Sequence, residues 1–259
     1  MQSDFCLRSH LNNPFFSLAL IPHALSVKTL ICLYLSYANI VILLNLSMND
    51  LKNNFIEFAI KEKLLRFGDF TLKSGRNSPY YFNTGLCNSG SKLRSLADFY
   101  ANYIHQNELH FDFIFGPAYK GITLASSISL QLDNVFSIDK PFSSNRKEEK
   151  THGDVGTLIG SPLSGKGLIV DDVISSGSSI KESINIIKKN NAEPINILVA
   201  LDRMELGKSK SATSEIESEN GIKVHSIINI DDVVDYLEKK EKDSDCFLRM
   251  KKYLEEFQR

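Results

Sequence analysis

The sequence predicts an α/β fold in which a parallel sheet is flanked by helices, and three stretches predict it. Phe111 to Phe115, Leu168-Ile169-Val170 and Ile195 to Ala200 are short apolar runs of the kind buried on both faces of a parallel sheet. The first two stop at Gly-rich turns (Gly116-Pro117-Ala118-Tyr119-Lys120-Gly121 and Ser175-Ser176-Gly177-Ser178-Ser179) and run on into helical patterns. The third ends in Leu201-Asp202-Arg203. Repeated strand, turn and helix is the unit from which parallel sheets are built.

The totals set the frame. The 259 residues suffice for one large α/β domain or two small ones. With 42% hydrophobic and 24% charged residues the composition is that of a globular protein. A formal net charge of −1 advertises neither nucleic acid nor an anionic membrane as partner. Cys6, Cys32, Cys87 and Cys246 are scattered without metal-ligand spacing, as expected of free thiols in the cytoplasm.

Residues 1–47 stand apart. Asp4, Arg8 and Lys28 are their only charged side chains, and the 18 residues from Thr29 to Leu46 carry none. That run approaches the roughly 20 residues needed to span a bilayer. A membrane anchor, a targeting peptide, an amphipathic helix packed on the domain and an upstream extension of the reading frame compete. A self-sufficient globular pattern begins at Met48, which favours the extension.

From Met48, Asn49-Asp50 reads as a helix cap, followed by Leu51, Phe55, Phe58, Ala59 and Leu65 at helical spacing. Phe70 to Arg76 and Ser78 to Asn83 are short strands around a Ser-Gly-Arg turn, with Lys73 just before it. Ser91 to Asn107 has helical periodicity, and after GPAYKG a helix runs to about Leu132. Asn145 to Asp154 is charge-dense and lacks apolar periodicity, the pattern of a solvated loop or a mobile lid with Gly153 and Gly156 as hinges. Ile180 to Lys189 is helical; Lys208 to Asn220 is a polar loop or helix start; Lys223 to Ile228 is a strand. Asp231 to Lys240 and Asp245 to Phe257 are C-terminal helices.

The stretch GLIVDDVISSGSS, Gly167 to Ser179, carries the chemistry. Two carboxylates at a strand's carboxyl end can accept from vicinal sugar hydroxyls, while a Ser/Gly turn opening a helix directs N–H groups at an anion. An ordinary buried strand with a capped turn is the bland alternative, and the match over all thirteen positions favours the sugar-phosphate site.

This stretch resembles the phosphoribosyl pyrophosphate (PRPP) motif of the type I phosphoribosyltransferases. Together with FTLKSGRNSPYYFN, FGPAYKG, NRKEEKTHG and ALDR, it makes most of Met48 to Arg259 resemble the bacterial orotate phosphoribosyltransferase family. The resemblance implies a Rossmann-like parallel sheet, with a small hood at about 48–90 and a core at about 91–259. It implies PRPP contacts from Lys73, Tyr119, Lys120, Arg146, Lys147, Lys150 and His152. The same contacts extend over Asp171, Asp172, Val173, Ile174, Ser175, Ser176, Gly177, Ser178 and Ser179. Asp171 and Asp172 would hold the ribose hydroxyls, and Lys147 and Lys150 would join them as catalytic residues. Lys73, Tyr81, Phe82, Ser175 and Arg203 would contact orotate. It further implies Mg²⁺ bound mainly through PRPP, without direct protein ligands, and a homodimer whose lid, about 145–156, reaches the neighbouring site. The chain departs from the family in two places. Ser175 to Ser179 stands where Thr-Ala-Gly-Thr-Ala is frequent, and Tyr81 stands where phenylalanine is common, adding a hydroxyl that needs a partner if buried. A phosphoribosyltransferase for another nucleobase and a non-catalytic nucleotide-binding regulator on the same fold are the rival readings.

Overall fold

Alternation and capping place the elements in order. The computed structural model describes residues 47–72, 75–150, 156–174, 177–206, 210–242 and 244–257, with the side chains of 149, 150 and 156 excepted. Helix α1 (Met48–Lys61) opens on Ser47, whose hydroxyl accepts from the Asp50 amide at 3.2 Å while the Asp50 carboxylate accepts from the Ser47 amide at 3.3 Å. This is a capping box whose N-cap lies two residues before Asn49 and whose N3 residue is Asp50. Its buried stripe is Leu51, Phe55, Ile56 and Ala59. Lys63, at φ 61°, ends the helix, so Leu65 begins strand β1 (Leu65–Thr71) instead of extending the helix.

Strand β1 and β2 (Asn77–Phe82) form an antiparallel hairpin, with Leu65 opposite Phe82 and Thr71 opposite Asn77. A register shift between Phe67 and Phe70 accommodates Gly68 at φ 151°. Along β2 the pleat buries Ser78, Tyr80 and Phe82 and turns Tyr81 to the other face. A 3₁₀ turn at Thr84–Leu86 leads to α2 (Gly90–Gln106). Then follow β3 (Phe113–Phe115), α3 (Lys120–Phe136), β4 (Phe142–Lys150) and β5 (Gly156–Gly160). Next come β6 (Lys166–Ile174), α4 (Ser178–Lys189), β7 (Glu193–Asp202) and α5 (Ala212–Asn220). Strand β8 (Lys223–Asn229), α6 (Ile230–Glu241) and α7 (Asp245–Phe257) complete the order.

Among the described residues the main sheet has six strands in the order β5-β4-β3-β6-β7-β8. All neighbours are parallel except β4 and β5. Here the structure corrects the sequence reading: residues 145–150 form the second half of β4, and Lys150 pairs with Gly156 across an antiparallel ribbon. Ladder hydrogen bonds hold this charge-rich stretch extended where apolar periodicity is lacking; residues 151–155 lie outside the described residues.

The core lies on both faces of the sheet. Leu168 and Val170 of β6 join Phe55, Tyr100, Leu124, Ile128 and others on one face, whereas Ile169 joins Ile180, Ile184, Ile187 and Ile216 on the other. Fully burying one such aliphatic side chain contributes about 1.5–3 kcal/mol. Helix α1 packs on β8 and α6, and α7 packs on β2 and α6, so both ends of the described chain meet the hairpin and the sheet.

Ser47→Ala should lower the Tm by about 2–4 °C, the effect of losing roughly 1 kcal/mol of capping in a chain of this size. Asn49→Ala, which leaves the capping box intact, should not. Thermal melting of the two variants checks the assignment.

Candidate active site

The site begins where β6 stops being apolar. Successive residues of a strand face opposite ways, so adjacent carboxylates at 171 and 172 separate. The Asp172 carboxylate turns to the face of α3 and the 3₁₀ turn, where Oδ2 accepts from Lys120 Nζ at 2.7 Å and from Thr84 Oγ1 at 3.0 Å. It is 8% exposed. Asp171 turns to α4: its Oδ2 accepts from Ser179 Oγ at 2.6 Å, and its Oδ1 accepts from the Asp172 amide at 2.9 Å. Burial and then the Asp172 charge push the Asp171 carboxyl up to about 6, against the pull of Ser179, the Asp172 amide and Lys120.

Two strand-to-helix turns flank these acids. In the GPAYKG turn, a Cβ on Gly116 would lie 1.9 Å from the Gly121 carbonyl oxygen, and one on Gly121 would lie 2.6 Å from the Gly116 carbonyl carbon. Only glycine permits this approach, which carries Lys120 to Asp172. Asn145 of β4, buried, secures the turn by accepting from the Ala118 amide at 2.8 Å. The Ala118–Tyr119 peptide bond is cis. In the second turn Gly177 takes φ 69° at the mouth of α4.

The helix starts differ in a telling way. Side chains cap α1 (Ser47), α2 (Ser89), α5 (Ser211) and α6 (Asn229). Helices α3 and α4 have no side-chain cap. Both starts present the positive end of the helix dipole, which suits an anion, while in α3 the Gly121 and Ile122 amides donate to the Pro117 and Tyr119 carbonyls. Both open at the carboxyl edge of the parallel strands, on either side of the Asp pair.

Arg203, just past β7, occupies the same edge. It is 5% exposed. Its Nε and Nη2 donate to Glu205 Oε1 at 2.9 and 2.6 Å, and Nη2 donates to Ser78 Oγ at 3.2 Å. The guanidinium carbon lies 4.2 Å from the Tyr80 ring centroid. Burial opposes its charge, yet Tyr80 and Glu205 hold its pKa above the ordinary value.

The structure thus brings Lys120, Asp171, Asp172, Gly177, Ser179 and Arg203 to one edge. Tyr119 lies there too, 71% exposed, and Ser178 opens α4. The side chains of Val173 and Ile174 belong to the core, which leaves their main chain for any ligand. Arg146 is half-buried with its Nε unpartnered among the described residues, while exposed Lys147 lies 3.5 Å from Glu182 of α4. Tyr81 and Phe82 do not share a face. Phe82 is buried against Phe55 at 6.4 Å, whereas half-buried Tyr81 stacks on Phe70 at 5.5 Å. Among the described residues two buried hydroxyls, those of Tyr80 and Ser144, have no hydrogen-bond partner; the Tyr81 hydroxyl is not one of them. Lys73, His152, Ser175 and Ser176 and the side chain of Lys150 lie outside the described residues.

Sequence reasoning missed Thr84, Glu205, Tyr80, Ser78 and the anchoring role of Asn145. Alternation along β2 would have grouped Ser78 and Tyr80; nothing local marks Thr84 or Glu205. Among the described residues no helix is long and apolar enough to cross a membrane, and Cys87 and Cys246 are free thiols.

Residues 89–224 match the phosphoribosyl transferase domain family. The chain is 49% identical over 211 residues to orotate phosphoribosyltransferase of Actinobacillus pleuropneumoniae serotype 5b (strain L20), covering 81% of this chain and 99% of that one. It is 48% identical over 207 residues to that of Haemophilus ducreyi, covering 80% and 97%. The crystal structure of orotate phosphoribosyltransferase from Francisella tularensis superposes with a TM-score of 0.71 at 38% identity, covering 78% of this chain and 95% of that one.

A folded-state carboxyl near 6, above its unfolded value of about 4, keeps its proton longer in the folded chain. Its contribution to stability is therefore present at low pH and is lost as pH rises from about 4 through about 6. Asp171→Asn should accordingly raise the Tm near pH 7.5 and lose that advantage below about pH 4, measured by paired melting curves.

Proposed function

The chain belongs to the orotate phosphoribosyltransferase family, and from this membership we propose how its sheet edge performs the pentosyl transfer. The C1′–O bond of PRPP breaks, the oxygen leaves with its electron pair as pyrophosphate, and N1 of orotate bonds to C1′. The products are orotidine 5′-monophosphate and pyrophosphate, a step of de novo pyrimidine synthesis. Orotate is readily anionic at N1, so the site needs no strong base.

The single observation that carries this reading is the pair of uncapped helix starts flanking Asp171 and Asp172. Amides of α4 from Ser178, with Gly177, Ser179 and the Ser175-Ser176 turn, bind the 5′-phosphate. The start of α3, with Tyr119 and Lys120, receives the pyrophosphate. Asp171 and Asp172 accept from the ribose hydroxyls. Without substrate, Lys120 is engaged with Asp172 at 2.7 Å. A ribose hydroxyl donating to Asp172 would release the ammonium toward the leaving group. Mg²⁺, bound mainly through PRPP, supplies charge neutralisation to the pyrophosphate, and the hard carboxylate oxygens at this edge suit its hydration shell.

Arg203 pairs with orotate, with Ser175, Lys73 and the Tyr81-Phe82 segment alongside. Since those two rings face opposite ways, the segment contacts the base at least partly through main chain. Arg146, Lys147, Lys150 and His152 belong to a cover built on the β4–β5 ribbon. In a homodimer this ribbon closes over the neighbouring subunit's site and excludes water. Its position at the sheet's edge and the exposed Lys147 support that arrangement. The functional unit runs from Met48 to Arg259, with a hood at about 48–90, and residues 1–47 lie outside it; the 211-residue match to relatives supports this. The free thiols fit a cytoplasmic enzyme.

The purified chain should consume orotate in the presence of PRPP and Mg²⁺, and so should a chain starting at Met48. Consumption of a purine in place of orotate would overturn the reading. Lys150→Ala should lower kcat by about 10²–10³, the usual cost of removing one well-placed charge donor, with smaller changes in KM. A near-normal kcat would remove Lys150 from its role.

A further inference from the structure

Arg203 is not a free surface arginine; three parts of the chain determine how its guanidinium sits. The Tyr80 ring, its centroid 4.2 Å from the guanidinium carbon, backs the fork. Glu205 fixes its rotation, since Nε and Nη2 both donate to one oxygen, Oε1. Glu205 is itself held. The Tyr253 hydroxyl of α7 donates to Oε1 at 2.6 Å, and Arg76, at the hairpin turn, pairs with Oε2 at 3.3 Å. Tyr253 meets Tyr80 edge-on at 6.0 Å and 88°, and Arg76 stacks on Phe257 of the same helix at 4.5 Å. Glu205 and Arg203 side chains are 10% and 6% exposed, so little solvent screens the pair.

Recognition of a carboxylate by a guanidinium depends on the direction in which its N–H groups are held. A buried arginine released from either constraint would sample other rotamers and present its N–H groups at the wrong angle. We propose that Glu205, clamped by Tyr253 of the C-terminal helix, is a positioning residue that sets the orientation in which Arg203 receives the carboxylate-bearing base. This deepens the reading of Arg203 as the orotate-pairing residue and rests on it. It makes α7, distant in sequence from every motif of the site, part of base recognition. Arg76 contributes from the hairpin side, tying the turn to the same carboxylate.

Steady-state kinetics on the full chain test the proposal, with orotate and PRPP varied separately and melting curves recorded for each variant. Wild-type turnover of orotate, measured first, checks the underlying reading by itself. Glu205→Gln keeps the shape and removes the charge. Its orotate KM should rise about tenfold or more, as expected for a lost charge-assisted hydrogen bond, while its PRPP KM stays within about twofold. Tyr253→Phe, which removes one hydroxyl and keeps the ring, should show the same split at about threefold. An orotate KM that is unchanged or lowered in either variant, or a rise shared equally by the two substrates, would overturn the proposal. A lowered value would mean instead that Glu205 competes with the substrate for Arg203.

Discussion

Everything at this sheet edge depends on holding two neighbouring carboxylates in a largely buried strand end without letting them repel each other out of the fold. The pleat of β6 does the first part, sending Asp171 and Asp172 to opposite faces. Local partners do the rest. Asp172 has an ammonium and a hydroxyl, from Lys120 and Thr84, whereas Asp171 has a hydroxyl and an amide. Burial first, and the neighbouring Asp172 charge next, push Asp171 up to about 6, which its hydroxyl and amide partners offset only in part. Its charge costs stability in the unliganded chain. A ribose hydroxyl donating to it, as proposed, would lower that cost.

The same constraint shapes the turns on either side. Lys120 reaches Asp172 because Gly116 and Gly121 let β3 and α3 approach closely enough that a Cβ would overlap backbone atoms. Asn145 then fixes the turn from β4. Ser179 reaches Asp171 because Gly177 adopts a left-handed conformation at the start of α4. Gly177 is also the N-cap of α4 and has no side chain to cap it, so the positive end of the helix dipole faces the same edge. Carboxylate placement and the uncapped start of α4 are thus two results of one local geometry.

Much of this was legible in the sequence because its signals are local. Apolar runs marked β3, β6 and β7, and periodicity marked most helices to within a few residues. The candidate site's edge followed from the parallel connection rule, which sends the carboxyl ends of parallel strands the same way. What escaped was tertiary. Leu65 kept helical spacing with α1, yet left-handed Lys63 had already ended the helix. Residues 145–150 lack apolar alternation because their extension comes from pairing with β5. Tyr81 and Phe82 looked like one aromatic block, but β2 divides them between faces, and the ring that meets Arg203 is Tyr80.

The Arg203 cluster shows why such contacts cannot be read from motifs. Arg76, Ser78 and Tyr80 lie in the hairpin, Arg203 and Glu205 follow β7, and Tyr253 and Phe257 lie in α7. No spacing rule links these segments. Their convergence arises because α7 packs on β2, which brings the C-terminal helix against the hairpin and beside the end of β7. A buried arginine at that junction would be unfavourable if its charge were unmatched, and Glu205 supplies the match. The single carboxylate therefore has two effects. It makes the arginine's burial tolerable, and by taking two nitrogens of one fork it restricts the directions from which a second carboxylate can approach. On the proposed role of Arg203, specificity for an acidic planar base would come from how the hairpin and the C-terminal helix hold that arginine, as much as from the arginine itself.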